Sequence, residues 1–471
     1  DKERNRKGGM GLYYHIDMNG GPWNDRWINT TTIPKLREQL NLAYQTGIDR
    51  IWLINVGDLK PKEVPIDFIM HYAWNPDGIQ PGDERKYLND FAASIFGKQL
   101  AESVADIIAR YSKYNLWRKP EVETTDYFSV ENHNEARHLI DTWNHLKSDV
   151  QKLTPEIPVQ LKDAYYQLVY YPAMASAGVA QMYLYAGLNN YYAKKGISTC
   201  YADSAKALFD EDKRLTAIYN DSIADGKWKG MMSDIHIGYK QWSMPEKNEL
   251  PKMLSASEYT KVNAEEVCPK VVSSIKEIAI PAKKYDRQLN TENNCWRELP
   301  DLGRASDCIG AKYITRQYCG DMTMSPCLEY DIETDNKDSI QVALGILPTQ
   351  DVNPTRGLRI AVSVDNAKPV MIDARRGLVD EFKEYTPEHL KNSKVLKPLP
   401  PLNRNLYLTG CAKPMRNEIF DNIRWLDASF AVNKTGNKHT VKVYMIDPEI
   451  VLERIIINPN NMTPSYFAGE I

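Results

Sequence analysis

No stretch of the sequence is both long and apolar enough to cross a bilayer. The most apolar segment, Ala164 to Tyr192, is broken by Gln167, Gln181, Asn189 and repeated tyrosines. It falls short of the roughly 18 unbroken apolar residues that a span needs, so it reads as a buried bundle helix, and a membrane partner is not expected. Strong charge of one sign is missing too. The 59 Lys and Arg against 62 Asp and Glu leave −3 at neutral pH, with no long basic run, which argues against nucleic acid as the main partner. The charged start, Asp1 to Lys7, leads into no apolar leader core, so no signal peptide is expected. Cysteine is scarce and poorly spaced for metal. Seven residues cannot all pair within one chain, and Cys295, Cys308, Cys319 and Cys327 form no CxxC. That spacing argues against zinc and leaves disulfides or free buried thiols. No Walker loop, strand-borne GxGxxG, HExxH or GxSxG occurs, so neither cofactor nor metal is expected.

What is present is enough chain for about two to four domains at roughly 100–200 residues each, in three textures. Residues 1–83 read as strand, helix, strand, helix. Gly11 to Met18 is a short extended run, followed by a loop with Gly20, Gly21 and Pro22. Thr32 as N-cap, Pro34 in the first turn, Leu36, Leu40, Ala43 and Tyr44 on one face and Gly47 past the end outline a helix. Arg50 to Gly57 is a continuous apolar run, the pattern of a strand covered on both faces in a parallel sheet. This βαβ unit is too small to close a barrel. Residues 84–243 are helical: Leu100, Val104, Ile107, Ile108 and Tyr111 make one stripe, and Leu139, Trp143, Leu146 and Val150 another, as in a bundle. Met244 to Pro251 reads as a linker. Residues 253–471 alternate with period two at Ile340 to Ile346, Leu358 to Val364 and Val441 to Met445, which predicts an antiparallel β-sandwich. The expected fold is therefore multidomain: α/β, then all-α, then all-β.

Chemistry concentrates at the ends of the two N-terminal strands. Reactive residues of a parallel barrel gather where its strands end. Tyr13, His15 and Asp17 have the spacing of one strand face and precede the Asn19-Gly20-Gly21-Pro22 loop. They read equally as a polar sugar-binding surface and as a core tyrosine, a satisfied histidine and a loop-capping carboxylate. Asn55 sits inside an apolar run, where its amide needs a partner. Asp58 and Lys60 follow on the loop, either as site residues or as a local salt bridge. A ligand bearing a carboxylate would need a cation or several donors, for which Lys60, His15 and Arg26 are the local candidates.

The wording of several segments resembles glycoside hydrolase family 115. Tyr14 to Pro22, Trp27 to Thr30, Arg50 to Pro61 and Tyr72 to Pro76 are similar to its strand-and-loop signatures. Tyr114 to Glu121 is similar to its bundle motif, and Trp296 to Gly303 and His439 to Pro448 to its last domain. The similarity runs through the chain in order. It implies the last part of a TIM-like barrel, a helical bundle and a C-terminal β-sandwich. It also implies an inverting, secreted or periplasmic enzyme that removes α-1,2-linked glucuronic acid, or its 4-O-methyl ether, from xylan. Under this resemblance Tyr13 and His15 line the sugar pocket, while Met18 stands where relatives often carry an aromatic. An inverting glycosidase needs two carboxyl groups about 6.5–9.5 Å apart. The resemblance places them on earlier barrel strands, before Asp1, so the catalytic acid and base are not assigned and Asp17 and Asp58 are not given that role. This chain is then expected to build only part of the active site and to act with the N-terminal half of the enzyme, in the same or a separate chain, as a homodimer on glucuronoxylan. The alternative is a non-catalytic carbohydrate-binding or assembly fragment.

Overall fold

The computed structural model describes residues 7–20, 23–240, 243–258, 277–316, 320, 322–335, 338–349, 351–353, 356–377, 413–432, 436–459 and 466–468. The chain opens with β1 (Gly11–His15), the short hairpin of β2 (Met18–Gly20) and β3 (Trp23–Asp25), α1 (Ile33–Gln45), β4 (Ile51–Asn55) and α2 (Glu63–Trp74). Strands β1 and β4 pair in parallel, Tyr13 opposite Leu53 and His15 opposite Asn55. Helix α1 starts where the sequence places it: Thr32 Oγ1 accepts from Lys35 N at 3.3 Å, and Pro34 lies in the first turn, satisfying a donor the helix end leaves open. The β1–β4 pair is covered on one face, not on both as the apolar run suggests. Leu12, Tyr14, Trp52 and Ile54 pack on the core, whereas Tyr13, Ile51 and Leu53 are 62%, 71% and 61% exposed. Alternation sends these residues to opposite sides, and among the described residues no layer covers the second side.

The α and π segments that follow are α3 (Glu84–Phe96), α4 (Lys98–Trp117), α5 (Glu135–Leu153), α6 (Lys162–Tyr165), a π turn (Tyr166–Tyr170), α7 (Tyr171–Ala193) and α8 (Tyr201–Asp221). Both predicted stripes are buried, except that Leu100 at the head of the first is half-buried. Helix α7 is buried on nearly every side, which explains an apolar sequence without helical periodicity. One hydrophobic cluster runs from Ile16 through the helices to Ile237, so the βα segment and the bundle share a core.

Beyond residue 277 the chain is mainly β. Strands β5 (Ile278–Pro281), β6 (Arg287–Leu289), β7 (Trp296–Leu299), β8 (Cys308–Ala311), β9 (Cys327–Glu333), β10 (Ser339–Ile346), β11 (Arg359–Val364) and β12 (Val370–Asp373) precede helix α9 (Lys413–Asp421). Strands β13 (Arg424–Ala431), β14 (Lys438–Met445) and β15 (Leu452–Ile457) follow it. They form two antiparallel sheets, β13-β10-β15-β8-β7 with β5 on β15, and β12-β11-β14-β9-β6. A second hydrophobic cluster draws on both sheets through Val342, Leu344, Val362, Val443 and Ile455.

This β region is locked to the bundle by buried charge. Arg304 N donates to Glu453 Oε1 at 2.6 Å, and Arg454 Nη1 to Phe467 O at 2.5 Å. Phe467 N donates to Glu135 Oε1 at 2.7 Å, and the Phe467 ring stands edge-on to Trp117 at 4.9 Å. Burial alone would raise the Glu453 carboxyl, but the adjacent Arg304 and Arg454 outweigh it and hold the group below its ordinary value. Cys200, Cys295, Cys308 and Cys327 are free thiols; Cys268, Cys319 and Cys411 lie outside the described residues. Among the described residues no cluster of His, Cys, Asp and Glu is placed to hold a metal, and no helix is long and apolar enough to cross a membrane.

Candidate functional site

The open face of β1–β4 ends in a small polar cluster. Asn55 Nδ2 donates to Asp17 O at 2.9 Å and lies 3.0 Å from His15 Nδ1, which is itself 3.2 Å from Asp17 O. Register explains the contact, because His15 and Asn55 are cross-strand neighbours at the last paired position. The amide thus finds the partner its apolar surroundings demand. His15 Nδ1 accepts from Asn55 Nδ2 in the Nε2–H tautomer and donates to Asp17 O in the Nδ1–H tautomer, so the same cluster accommodates either form. Tyr13, two residues back on the same face, puts its ring 4.5 Å from the imidazole at 57°. An exposed aromatic face beside an imidazole nitrogen suits a sugar ring, which offers apolar C–H surface and hydroxyls that both donate and accept.

The other three sequence candidates are placed differently. Strand β1 stops at His15, so Asp17 lies past the strand and enters the cluster by its carbonyl. Its carboxyl is buried against Gly57, where a Cβ would meet the two carboxyl oxygens at 2.6 and 2.7 Å. Gly57 also has φ +59°, so a side chain there would be excluded twice over. Asp58 is exposed on the loop and is not Lys60's partner. Lys60 Nζ instead pairs with Glu63 at 2.8 Å and rests 4.2 Å from the centre of the Trp228 ring. Its charge is committed to the bundle side. Arg26 points the same way: its backbone N donates to Glu121 and its guanidinium reaches Met244.

Sequence reasoning did not identify what holds the mouth loop, residues 26–32. Lys62 Nζ donates to Ile28 O at 3.0 Å, Asn115 Nδ2 to Asn29 O at 3.0 Å and Lys119 Nζ to Thr30 Oγ1 at 2.7 Å. Trp27 stacks on His236 at 3.8 Å, and His236 Nδ1 lies 2.9 and 3.1 Å from the two Asp212 carboxylate oxygens. The signal was in view: Asn115, Lys119 and Glu121 all belong to the Tyr114–Glu121 segment, whose polar residues at buried positions required partners. Nearby, burial pushes the Glu123 carboxyl up to about 8 against the opposing pull of Arg118.

Residues 1–122 match the family profile described as glycosyl hydrolase family 115, and residues 272–386 and 416–470 match that of the family 115 C-terminal domain. Among solved structures, a family GH115 4-O-methyl-α-glucuronidase with specificity for decorated arabinogalactans superposes with a TM-score of 0.67 at 20% identity. The superposition covers 98% of this chain and 52% of that one, so the chain spans about half the length of this relative. The C-terminal CBM6 of a marine laminarinase from Zobellia galactanivorans matches 39% of this chain and 98% of its own, at 11% identity and TM-score 0.22. A family 35 carbohydrate-binding module from Clostridium thermocellum matches 39% and 99%, at 6% identity and TM-score 0.22. Scores this low carry no argument. No curated protein matches the sequence significantly.

Proposed function

The chain belongs to glycosyl hydrolase family 115, and from that premise we propose that it is the C-terminal part of an α-glucuronidase. The enzyme hydrolyses the bond holding a glucuronic acid, or 4-O-methylglucuronic acid, side group to a polysaccharide, with inversion. Residues 1–83 are the last part of a TIM-like barrel, 84–243 the helical bundle and 253–471 a β-sandwich. The observation that carries this reading is the Tyr13–His15–Asn55 cluster at the carboxyl ends of two parallel strands, where barrel enzymes hold their substrates. Tyr13 offers the stacking face. In its Nε2–H tautomer His15 offers a donor to the uronate, and a hydrogen bond to a charged acceptor contributes about 1.5–3 kcal/mol. Asp17, Asp58 and Lys60 shape the mouth, with Asp17 fixing the backbone turn under Gly57.

Further polypeptide supplies the remaining strands together with the catalytic acid and base. The enzyme works as a secreted or periplasmic homodimer without metal or cofactor. The uronic acid is the recognised group. Glucuronoxylan is the proposed carrier, and the solved relative's preference makes decorated arabinogalactan the substrate to compare with it. The test is His15→Ala in the full natural polypeptide, assayed for glucuronic acid release from both polysaccharides alongside its melting temperature. A fall in kcat/KM of about 10–100-fold is expected, equivalent to about 1.4–2.8 kcal/mol, with little change in melting. Unchanged kcat/KM with a lowered melting temperature would make His15 a structural residue and remove the pocket assignment.

A further inference from the structure

After α8 the chain returns to the strand mouths. Residues 227–240 and 243–249 form neither helix nor strand, yet they are pinned to the bundle. Asn220 of α8 and Met232 exchange two bonds at 3.0 Å, and Gly238 N donates to Tyr183 of α7 at 3.1 Å. Asn248 Oδ1 accepts from His236 N and Ile237 N at 2.8 and 2.9 Å. This strap meets both connections that leave the parallel strands. Trp228 lies under Lys60, on the loop after β4, while Met244 and His236 meet Arg26 and Trp27, between β3 and α1. One of these contacts is built from buried charge. Asp212 stands on the buried face of α8 beside Leu215, and Asp212 and His236 are 3% and 1% exposed. Both Asp212 oxygens lie within 3.1 Å of His236 Nδ1. A carboxylate only accepts, so Nδ1–H donates and the acid sets the plane of the ring. Trp27 stacks on that plane at 3.8 Å and 17°. Its indole N–H has no hydrogen-bond partner among the described residues, so packing alone places the ring.

We propose that Asp212 and His236 are positioning residues for the glucuronidase reaction. The acid sets the imidazole, the imidazole sets Trp27, and Trp27 holds the connection from β1 to α1 that borders the Tyr13–His15–Asn55 cluster. The inference rests on the proposed glucuronidase reading and adds what keeps one rim of its pocket in place. Neither residue touches the sugar, because both are buried beneath Trp27 and α8. Stability alone does not account for them, since apolar residues of the same volume are as good as a buried ion pair or better. What the pair adds is one fixed orientation. Residues 28–30 of the same loop have their own ties, to Lys62, Asn115 and Lys119. Residue 27 is held by its ring, and the ring by His236. Loops that follow barrel strands carry the substrate contacts, and a displacement there of about 1 Å is enough to slow the reaction.

The experiment makes Asp212→Ala, Asp212→Asn, His236→Ala and Trp27→Ala in the full natural polypeptide. Three quantities are read: kcat/KM for glucuronic acid release from whichever of the two polysaccharides the parent cleaves faster, melting temperature, and amide hydrogen exchange. The three alanine variants should each lose about tenfold in kcat/KM. Exchange at residues 26–32 should quicken by at least about tenfold, while exchange in α5 stays at the parent rate. Asp212→Asn keeps an oxygen that accepts from Nδ1–H and should stay within about threefold of the parent on both measures. A lowered melting temperature with parent-like kcat/KM and parent-like exchange at 26–32 would make the pair structural and overturn the proposal. Asp212→Asn as damaged as Asp212→Ala would overturn the orienting bond. Trp27→Ala leaves the Asp212–His236 pair intact, so it reports on the loop even if an alanine variant of the pair fails to fold. Exchange needs no substrate. A parent that releases no glucuronic acid would sink the glucuronidase reading, and exchange at 26–32 would still decide whether the pair holds the loop.

Discussion

Strand β4 and strand β10 carry the same kind of residue and end in opposite situations. Ile51 and Leu53 of β4 face solvent, while Ile340, Val342 and Leu344 of β10, spaced the same way, are fully buried. The difference lies outside the strands. Strand β10 has neighbours on both edges and a second sheet across its inner face; among the described residues β4 has one neighbour and one covered face. Side-chain chemistry thus decides that a face is to be buried, and the presence of a partner decides whether it is. On the bare face of β4 the polar residues have gathered at one end, which is the arrangement a ligand pocket needs.

Paired truncations sharpen that contrast most strongly. Leu344→Ala should cost about 2–5 kcal/mol through lost transfer energy and a residual cavity. Leu53→Ala in the same 471-residue chain should change stability by no more than about 0.5 kcal/mol, as exposed positions do. Denaturant melts of the two variants against the parent measure both. Equal losses would mean that the β4 face is covered after all.

A smaller effect separates two buried glutamates. Glu453 has two arginines and is held down, whereas Glu123 is opposed only by Arg118 and is pushed up to about 8. Between its ordinary value of 4.5 and about 8, folded Glu123 keeps a proton that the unfolded chain has lost. Stability should therefore fall as pH rises through that window, by up to about 1.4 kcal/mol per pH unit. Glu453 works with the opposite sign, adding stability above its unfolded value that is lost as pH falls. Thermal melts at pH 5, 6.5 and 8 should show a shallower decline for Glu123→Gln than for the parent. Parallel declines would mean that Glu123 is charged in the fold.

How much of this was legible beforehand follows from which interactions are local. The strands at 11–15, 51–55, 339–346 and 359–364 and the α1 cap at Thr32 were readable because period and capping act within a few residues. The meeting of His15 and Asn55 was readable as far as two strand ends can be aligned by chain order. The sequence allows Lys60 as a pocket cation or as Asp58's partner, but Glu63, one helical turn on, and Trp228 from the bundle hold it. Spacing puts Asp17 on the strand face, but the strand ends two residues earlier. The tether of residues 26–32 to Lys62, Asn115 and Lys119 joins segments far apart in the chain, and no local pattern encodes such contacts. The buried Arg304–Glu453–Arg454 lock is hidden for the same reason, since it joins a loop to β15, and charged residues in a strand read as solvent-facing.

The central claim is that the open end of β1–β4 receives a uronic acid through His15. Nitrogen NMR of the His15 imidazole in the full natural polypeptide, titrated with glucuronic acid and separately with xylose, tests it most directly. The spectrum of the free protein shows which partner Nδ1 takes, Asn55 Nδ2 as acceptor or Asp17 O as donor. Glucuronic acid should shift the Nε2 resonance saturably, and xylose at the same concentrations should leave it in place. An imidazole that ignores glucuronic acid, or responds equally to both sugars, would contradict the account.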